Sequence, residues 1–113
     1  MTRLDTTLIA LADPTRRHVI NLLRRGPRSA GDLAAASDMS APAMSRHLRL
    51  LRRTELVEER IDEHDARLRM YRLRRKPFAE LRAWLEEIEA FWTDELEAFK
   101  AHAERRSRKG NKK

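Results

Sequence analysis

The stretch Ser40-Ala-Pro-Ala-Met-Ser-Arg-His-Leu-Arg-Leu-Leu-Arg-Arg53 decides how this chain is read. At about 100° per residue, Met44, Leu48 and Leu51 fall within one narrow arc and face a core. Pro42, Arg46, Arg49 and Arg53 project from the opposite side, with Ser45 at the edge. Ser40 is placed to cap the N-terminus, and Pro42 with Ala43 fits the first turn, where a missing N–H costs little. A helix with a cationic outer face suits the DNA major groove, where arginine reads guanine edges and also binds phosphates. The same pattern describes an ordinary amphipathic helix with a solvated face. The flanking sequence decides between them.

Upstream, Leu4, Leu8 and Leu11 recur at i, i+4 and i+7 and predict a first helix ending near Ala12. Asp13-Pro14 is a strong restart, with Asp13 as N-cap and Pro14 at the first helical position. The second helix turns Val19, Ile20, Leu22 and Leu23 inward, and Gly26-Pro27 stops it. Ser29-Ala-Gly-Asp32 resembles a capping box opening a short third helix, in which Leu33, Ala34 and Ala36 supply small apolar packing. Asp is shorter than the usual Glu, so the reciprocal bond is not assured. Ser37-Asp-Met-Ser40 is a tight turn into the arginine-faced helix. Two helices joined this way, the second exposing cations, form a helix-turn-helix.

After Thr54 the periodicity shortens. Leu56–Ile61 and Arg67–Leu73 are β-compatible runs separated by the polar segment Asp62–Ala66. Tyr71 and Leu73 share one face of the second run, Leu68 and Met70 the other, so the inward face stays open. A basic hairpin in this place is a wing: Arg67, Arg69 and Arg72 make it cationic, and Asp62, Glu63 and Asp65 partly cancel that. A plain structural hairpin covering the core is the alternative. Pro77 separates the hairpin from a long final helix, Phe78 to about Ala103, roughly 39 Å at 1.5 Å per residue. Leu81, Leu85, Ile88, Trp92, Leu96 and Phe99 form a near-heptad seam along it, widened by Trp84 and Phe91. A small domain can hardly cover so long a stripe, which predicts a homodimer paired through this helix with Leu4, Leu8 and Leu11 assisting. Residues 104–113 lack apolar side chains and read as a disordered basic tail. The expected organisation is therefore one mainly α winged helix-turn-helix domain with a small β-hairpin over residues 1–103, followed by that tail.

Composition narrows the function. The 113 residues are 41% hydrophobic and 38% charged, which suits one domain with a modest core. A net charge of +7 and a pI near 10.7 favour a polyanionic partner. Phe78–Phe99 holds seven acids against one base, a net −6 that leaves +13 on the remaining chain. Nucleic acid should meet the body and avoid that helix. Cysteine is absent, which removes disulfides, thiolate metal sites and cysteine nucleophiles. The three glycines form no phosphate loop, and no nucleophile has an adjacent base. The reading is of a non-enzyme. No apolar run reaches membrane-span length and the N-terminus lacks a signal-peptide core, so a cytoplasmic location is expected.

The order of elements, with ALADPTRRHVINLL at 10–23 and SAGDLAAASDMSAPAMSRHLRLLRRTELVEER at 29–60, resembles the ArsR-type winged helix-turn-helix repressors. The likeness covers about residues 4–103. It implies a homodimeric bacterial repressor on a pseudo-palindromic operator, with the terminal helices in the dimer interface. The arsenic and cadmium sensors of that family carry a Cys-containing motif where this chain has Gly31–Ala36. Its zinc and nickel sensors place paired histidines on the last helix, where this chain offers His102. The resemblance is to the subset without an evident metal site, and no metal or other cofactor is expected. The inducing signal stays open, an unknown small molecule among the possibilities. Trp84 and Trp92 suit either core packing at the seam or the lining of an effector pocket. His47 flanks the reading face, where it either contacts DNA or supports the turn. His64, beside Asp62 and Asp65, marks the one place a weak metal site is conceivable. The leading function is a sequence-specific DNA-binding regulator. A nucleoid-type or RNA-binding protein without base readout is the alternative, and a protein adaptor built on the acidic helix a third.

Overall fold

The computed structural model describes the backbone of residues 1–111 and the side chains of residues 1–108. Its elements are α1 (Arg3–Leu11), α2 (Pro14–Leu23), β1 (Arg28–Ser29), α3 (Ala30–Ala36), α4 (Ala41–Arg53), β2 (Val57–Ile61), β3 (Arg69–Leu73) and α5 (Arg75–Asn111). The chain forms two compact units, Met1–Leu81 and the part from Arg82 onward.

Polar caps set the helix starts of the first unit. Thr2 Oγ1 accepts from the Asp5 amide, and the Asp5 carboxylate accepts from the Thr2 amide, a complete capping box. Asp13 accepts from the Arg16 amide at 2.9 Å, with Pro14 in the first turn of α2. Ser29 caps α3 through the Asp32 amide at 3.1 Å without a return bond from Asp32. Gly26, at φ +144°, turns the chain out of α2 through backbone that L side chains rarely adopt.

The core lies where α2, α3, α4 and the root of β2 meet. Val19, Ile20 and Leu23 of α2, Leu33 and Ala34 of α3, and Met44, Leu48 and Leu51 of α4 are all buried, with Leu56 and Val57 beneath them. Leu22 is half-buried and packs on this cluster, whereas Ala36 faces solvent at the end of α3. In α1 the buried residues are Thr7 and Ala10. Small side chains on that face let α1 lie close to α2, and of the Leu4-Leu8-Leu11 stripe Leu11 packs against the core. Leu8 is exposed, and Leu4 and Leu11 are half-buried.

The hairpin is joined by a third strand that periodicity did not reveal. Residues 28 and 29 pair antiparallel with β3, giving the order β1-β3-β2. The β2–β3 register sets Val57 opposite Leu73, Glu59 opposite Tyr71 and Ile61 opposite Arg69. Cross-strand partners share a face, and Tyr71 and Leu73 pack on the core. The inward face is thereby fixed as Val57, Glu59, Ile61, Arg69, Tyr71 and Leu73. The loop extends from Asp62 to Leu68, so Arg67 belongs to it rather than to a strand.

Two boundaries of the last helix differ from expectation. It begins at Arg75, with the buried Pro77 inside its first turn. The first amides of a helix have no intrahelical acceptor, so proline there forfeits nothing. The helix also continues through Glu104–Asn111, where the sequence suggested a tail. Glutamate, arginine and lysine are good helix formers, and cations near the C-terminus oppose its negative dipole end. Residues 112 and 113 of that expected tail lie outside the described residues. No helix among the described residues is long and apolar enough to cross a membrane.

Candidate nucleic-acid interface

The presentation of α4 begins with the turn before it. Asp38 adopts a left-handed conformation (φ +49°), which aspartate tolerates better than most residues and which makes the connection short. Ser40 then caps α4 through the Ala43 amide at 3.3 Å, and Pro42 stands exposed in the first turn. With Met44, Leu48 and Leu51 at 1%, 1% and 0% exposure, the helix is keyed into the core by one face and its outer face is fixed in direction. Ser45, Arg46, Arg49 and Arg53 are exposed on that outer side, and Ala43 and His47 are half-buried at its margin.

The arginines divide into two groups. Arg16 donates to the Ala10 and Ile9 carbonyls, and Arg17 to those of Leu11 and Ala12. Arg3 pairs with Glu55 and Glu80, Arg60 and Arg72 with Glu58, and Arg52 and Arg69 with Glu59. Among the described residues, Arg46, Arg49 and Arg53 have no ion-pair or hydrogen-bond partner for their guanidinium groups. Arg24, Arg25, Arg74 and Arg75 likewise have no such partner among the described residues, but they do not line one face of a helix. On α4 the unpartnered arginines form a row along one exposed face.

His47 connects this helix to α2. Its Nδ1 lies 3.9 Å from Asp13 Oδ2, the same oxygen that accepts from the Arg16 amide. The Arg16 amide bond holds the Asp13 carboxyl below its ordinary range, burial opposes this, and the Arg16 and His47 charges reinforce it. His47 thus stands at the margin of the exposed face of α4, beside the start of α2. At the wing, Arg67 is 92% exposed, with its Nε 3.3 Å from Asp65, and Arg69 is exposed while its Nη1 is 3.2 Å from Glu59. Hydrogen bonds and charge hold the Glu58 carboxyl below its usual range, the Arg72 bond foremost, with Arg60, Arg72 and Arg74 adding to it. The wing's cations thus arrive partly neutralised.

Residues 13–59, from the cap of α2 to the middle of β2, match the bacterial regulatory protein, arsR family. An HTH-type transcriptional regulator of Mycobacterium tuberculosis is 37% identical over 95 residues, 84% of this chain and 83% of that protein. The structure of an ArsR-like transcriptional regulator from Rhodococcus sp. RHA1 superposes with a TM-score of 0.72 at 32% identity, covering 87% of this chain and 90% of that one. This chain belongs to the ArsR family. It is a transcriptional regulator with a winged helix-turn-helix DNA-binding domain. The homodimeric winged helix-turn-helix DNA-binding domain of a Mycobacterium bovis protein is also similar, at 26% identity and a TM-score of 0.62, covering 77% of this chain and 78% of that one.

In this ArsR-family chain the wing-tip carboxylates organise their own loop. Asp62 accepts from the His64 and Asp65 amides, and Asp65 from the amide and Nε of Arg67. Among the described residues no three His, Asp or Glu side chains gather to hold a metal ion. Along α5, Leu81 and Ile88 are half-buried, while Leu85, Trp92, Leu96 and Phe99 are 48%, 60%, 66% and 72% exposed. Phe91 and Trp92 meet edge to face, with centroids 5.9 Å apart. The sequence reading passed over Arg52 and Glu59. Strand alternation from Val57 puts Glu59 on the inward face, and an inward acid calls for a cation, which was the available signal.

Proposed function

We propose that two copies of this ArsR-family chain pair and hold a pseudo-palindromic operator, repressing transcription by occupying it. The observation that carries this reading is the row Arg46, Arg49 and Arg53, exposed and free of internal partners on a helix whose other face is fully buried. Exposed guanidinium groups on a rigid helix have nothing to release before they meet DNA. Arg46 and Arg49, nearer the helix start, read base edges, with Ser45 beside them. The first turn, Ser40, Pro42 and Ala43, approaches the backbone. Arg53 and, from the wing, Arg67 and Arg69 hold phosphates, Arg69 with part of its charge taken by Glu59. His47 flanks this surface.

Pairing is supported by the exposed apolar seam Leu85, Trp92 and Leu96 with Leu81 and Ile88 beside it, by the exposed Leu8 with the half-buried Leu4 and Leu11, and by the homodimeric state of the Mycobacterium bovis relative. Two recognition helices then stand about 34–36 Å apart and require half-sites one helical turn apart. The test is to map bound fragments across the source genome and titrate salt on the recovered operator and on random duplex. Both complexes weaken with salt, and a large specificity ratio on the operator is expected. Inserting five base pairs between half-sites turns one half-site to the opposite face of the duplex and abolishes tight binding. An equal affinity for operator and random DNA would instead favour a nucleoid-type protein.

A further inference from the structure

Glu59 sits where the inward face of the wing leaves the core, between Val57 at 2% exposure and Ile61 at 57%. Its own side chain is 11% exposed, and both carboxylate oxygens are occupied. Oε2 lies 2.7 Å from Arg52 Nη1 on α4 and accepts from the Tyr71 hydroxyl at 3.4 Å. Oε1 lies 3.2 Å from Arg69 Nη1 on β3. Two half-exposed arginines from two elements therefore share one carboxylate, and the group keeps a net charge of one. Arg52 is the member of the α4 arginines that the fold retains for itself, next in sequence to the unpartnered Arg53. A carboxylate at this junction also lies beside the surface proposed to meet a polyanion, where it opposes binding.

We propose that Glu59 sets the sequence-independent strength with which this domain holds DNA, by cancelling one unit of cationic charge where the recognition helix meets the wing. The inference rests on the reading of α4 and the wing as the DNA surface. Non-specific affinity is governed by how many phosphates a protein neutralises and how many counterions it thereby releases. A regulator that holds every duplex tightly spends its time away from its operator, because competing sites are far more numerous. An acid on this face limits that holding while leaving Arg46 and Arg49 untouched.

The experiment compares the wild type with Glu59→Gln, Arg52→Gln and the double variant, on random duplex and operator across a salt series, with thermal melts alongside. Glu59→Gln raises the local charge by one, so the slope of log affinity against log salt steepens by about 0.9 per protomer. At about 0.1 M salt that slope corresponds to random-duplex binding up to roughly eightfold tighter per protomer. The double variant restores the local charge and returns the wild-type slope. A carboxylate that served only to brace the wing would lower the melting temperature and leave the slope alone. An unchanged slope in folded Glu59→Gln overturns the proposal. If Glu59→Gln does not fold, the same charge step is read between Arg52→Gln and the double variant, and equal slopes there overturn it. A wild type that binds neither duplex sinks the DNA-surface reading itself, an outcome distinct from equal slopes among variants that bind.

Discussion

Arg46→Ala is the most direct probe of the recognition helix. The guanidinium of Arg46 is exposed and unpartnered, so its removal leaves no buried group unsatisfied. Alanine is at least as good a helix former, and folding stability should stay within about 0.5 kcal/mol of the wild type. Binding is another matter. A base-reading arginine contributes roughly 1–3 kcal/mol of discrimination per half-site. A symmetric pair loses it twice, about 2–6 kcal/mol, or roughly 30-fold to 20,000-fold at 1.4 kcal/mol per decade. Loss of one cation lowers the salt slope and the random-duplex affinity as well, so base reading shows as an operator affinity that falls much further than the random-duplex affinity. Fluorescence anisotropy on operator and random duplexes, at several salt concentrations, gives all three quantities together. The reasoning is refuted if operator and random affinities fall by the same factor, since Arg46 would then be a phosphate contact. It is refuted equally if the melting temperature drops by many degrees, since the side chain would then have a structural partner.

Replacing Ile88 and Trp92 together with glutamate puts charges into the apolar seam of α5 and should convert a dimer into monomers. Sedimentation at micromolar concentration reads this, and a monomeric wild type would remove the pairing reading. Chelator should leave melting temperature and operator affinity unchanged, and a stoichiometric transition metal that survives purification would contradict that. Asp13→Ala should cost about 1 kcal/mol at neutral pH through the lost cap of α2. The Asp13 carboxyl lies below its ordinary value of 3.8 when folded, so the unfolded chain binds the proton more readily. Its contribution is complete above that value and is lost as pH falls through the lower folded one. Melting temperatures from neutral to strongly acid pH should therefore converge for wild type and variant at the acid end.

Much of this was written in the local sequence. Ser40, Pro42 and the Met44-Leu48-Leu51 arc place α4 because capping chemistry and a 3.6-residue period are both short-range signals. Asp13-Pro14 fixes the start of α2 for the same reason. What escaped depended on contacts distant in sequence. The two residues of β1 pair with β3 more than forty positions away and are too few to show any alternation. The core face of α1 is the modest Thr7 and Ala10, with Leu11 alongside, too small a pattern to be read ahead of the leucines. The arginine stripes of α4 and the wing look alike as text, yet Arg46 and Arg49 are unpartnered while Arg52 and Arg69 converge on Glu59. Only the folded register separates them.

The bonds from Arg16 and Arg17 to the last carbonyls of α1 set the head apart in a further way. Neither a guanidinium nor a peptide carbonyl changes its protonation in acid, so the corner between α1 and α2 keeps these ties at any pH the chain survives. Within the wing, Glu58 ties β2 to β3 through Arg72, and its carboxyl, held below the usual range when folded, loses that tie only in strong acid. Strong acid should therefore loosen the β2–β3 pairing at Glu58 while the bonds from Arg16 and Arg17 to α1 persist. Amide exchange in strong acid would show β2 and β3 loosening while the end of α1 stays protected.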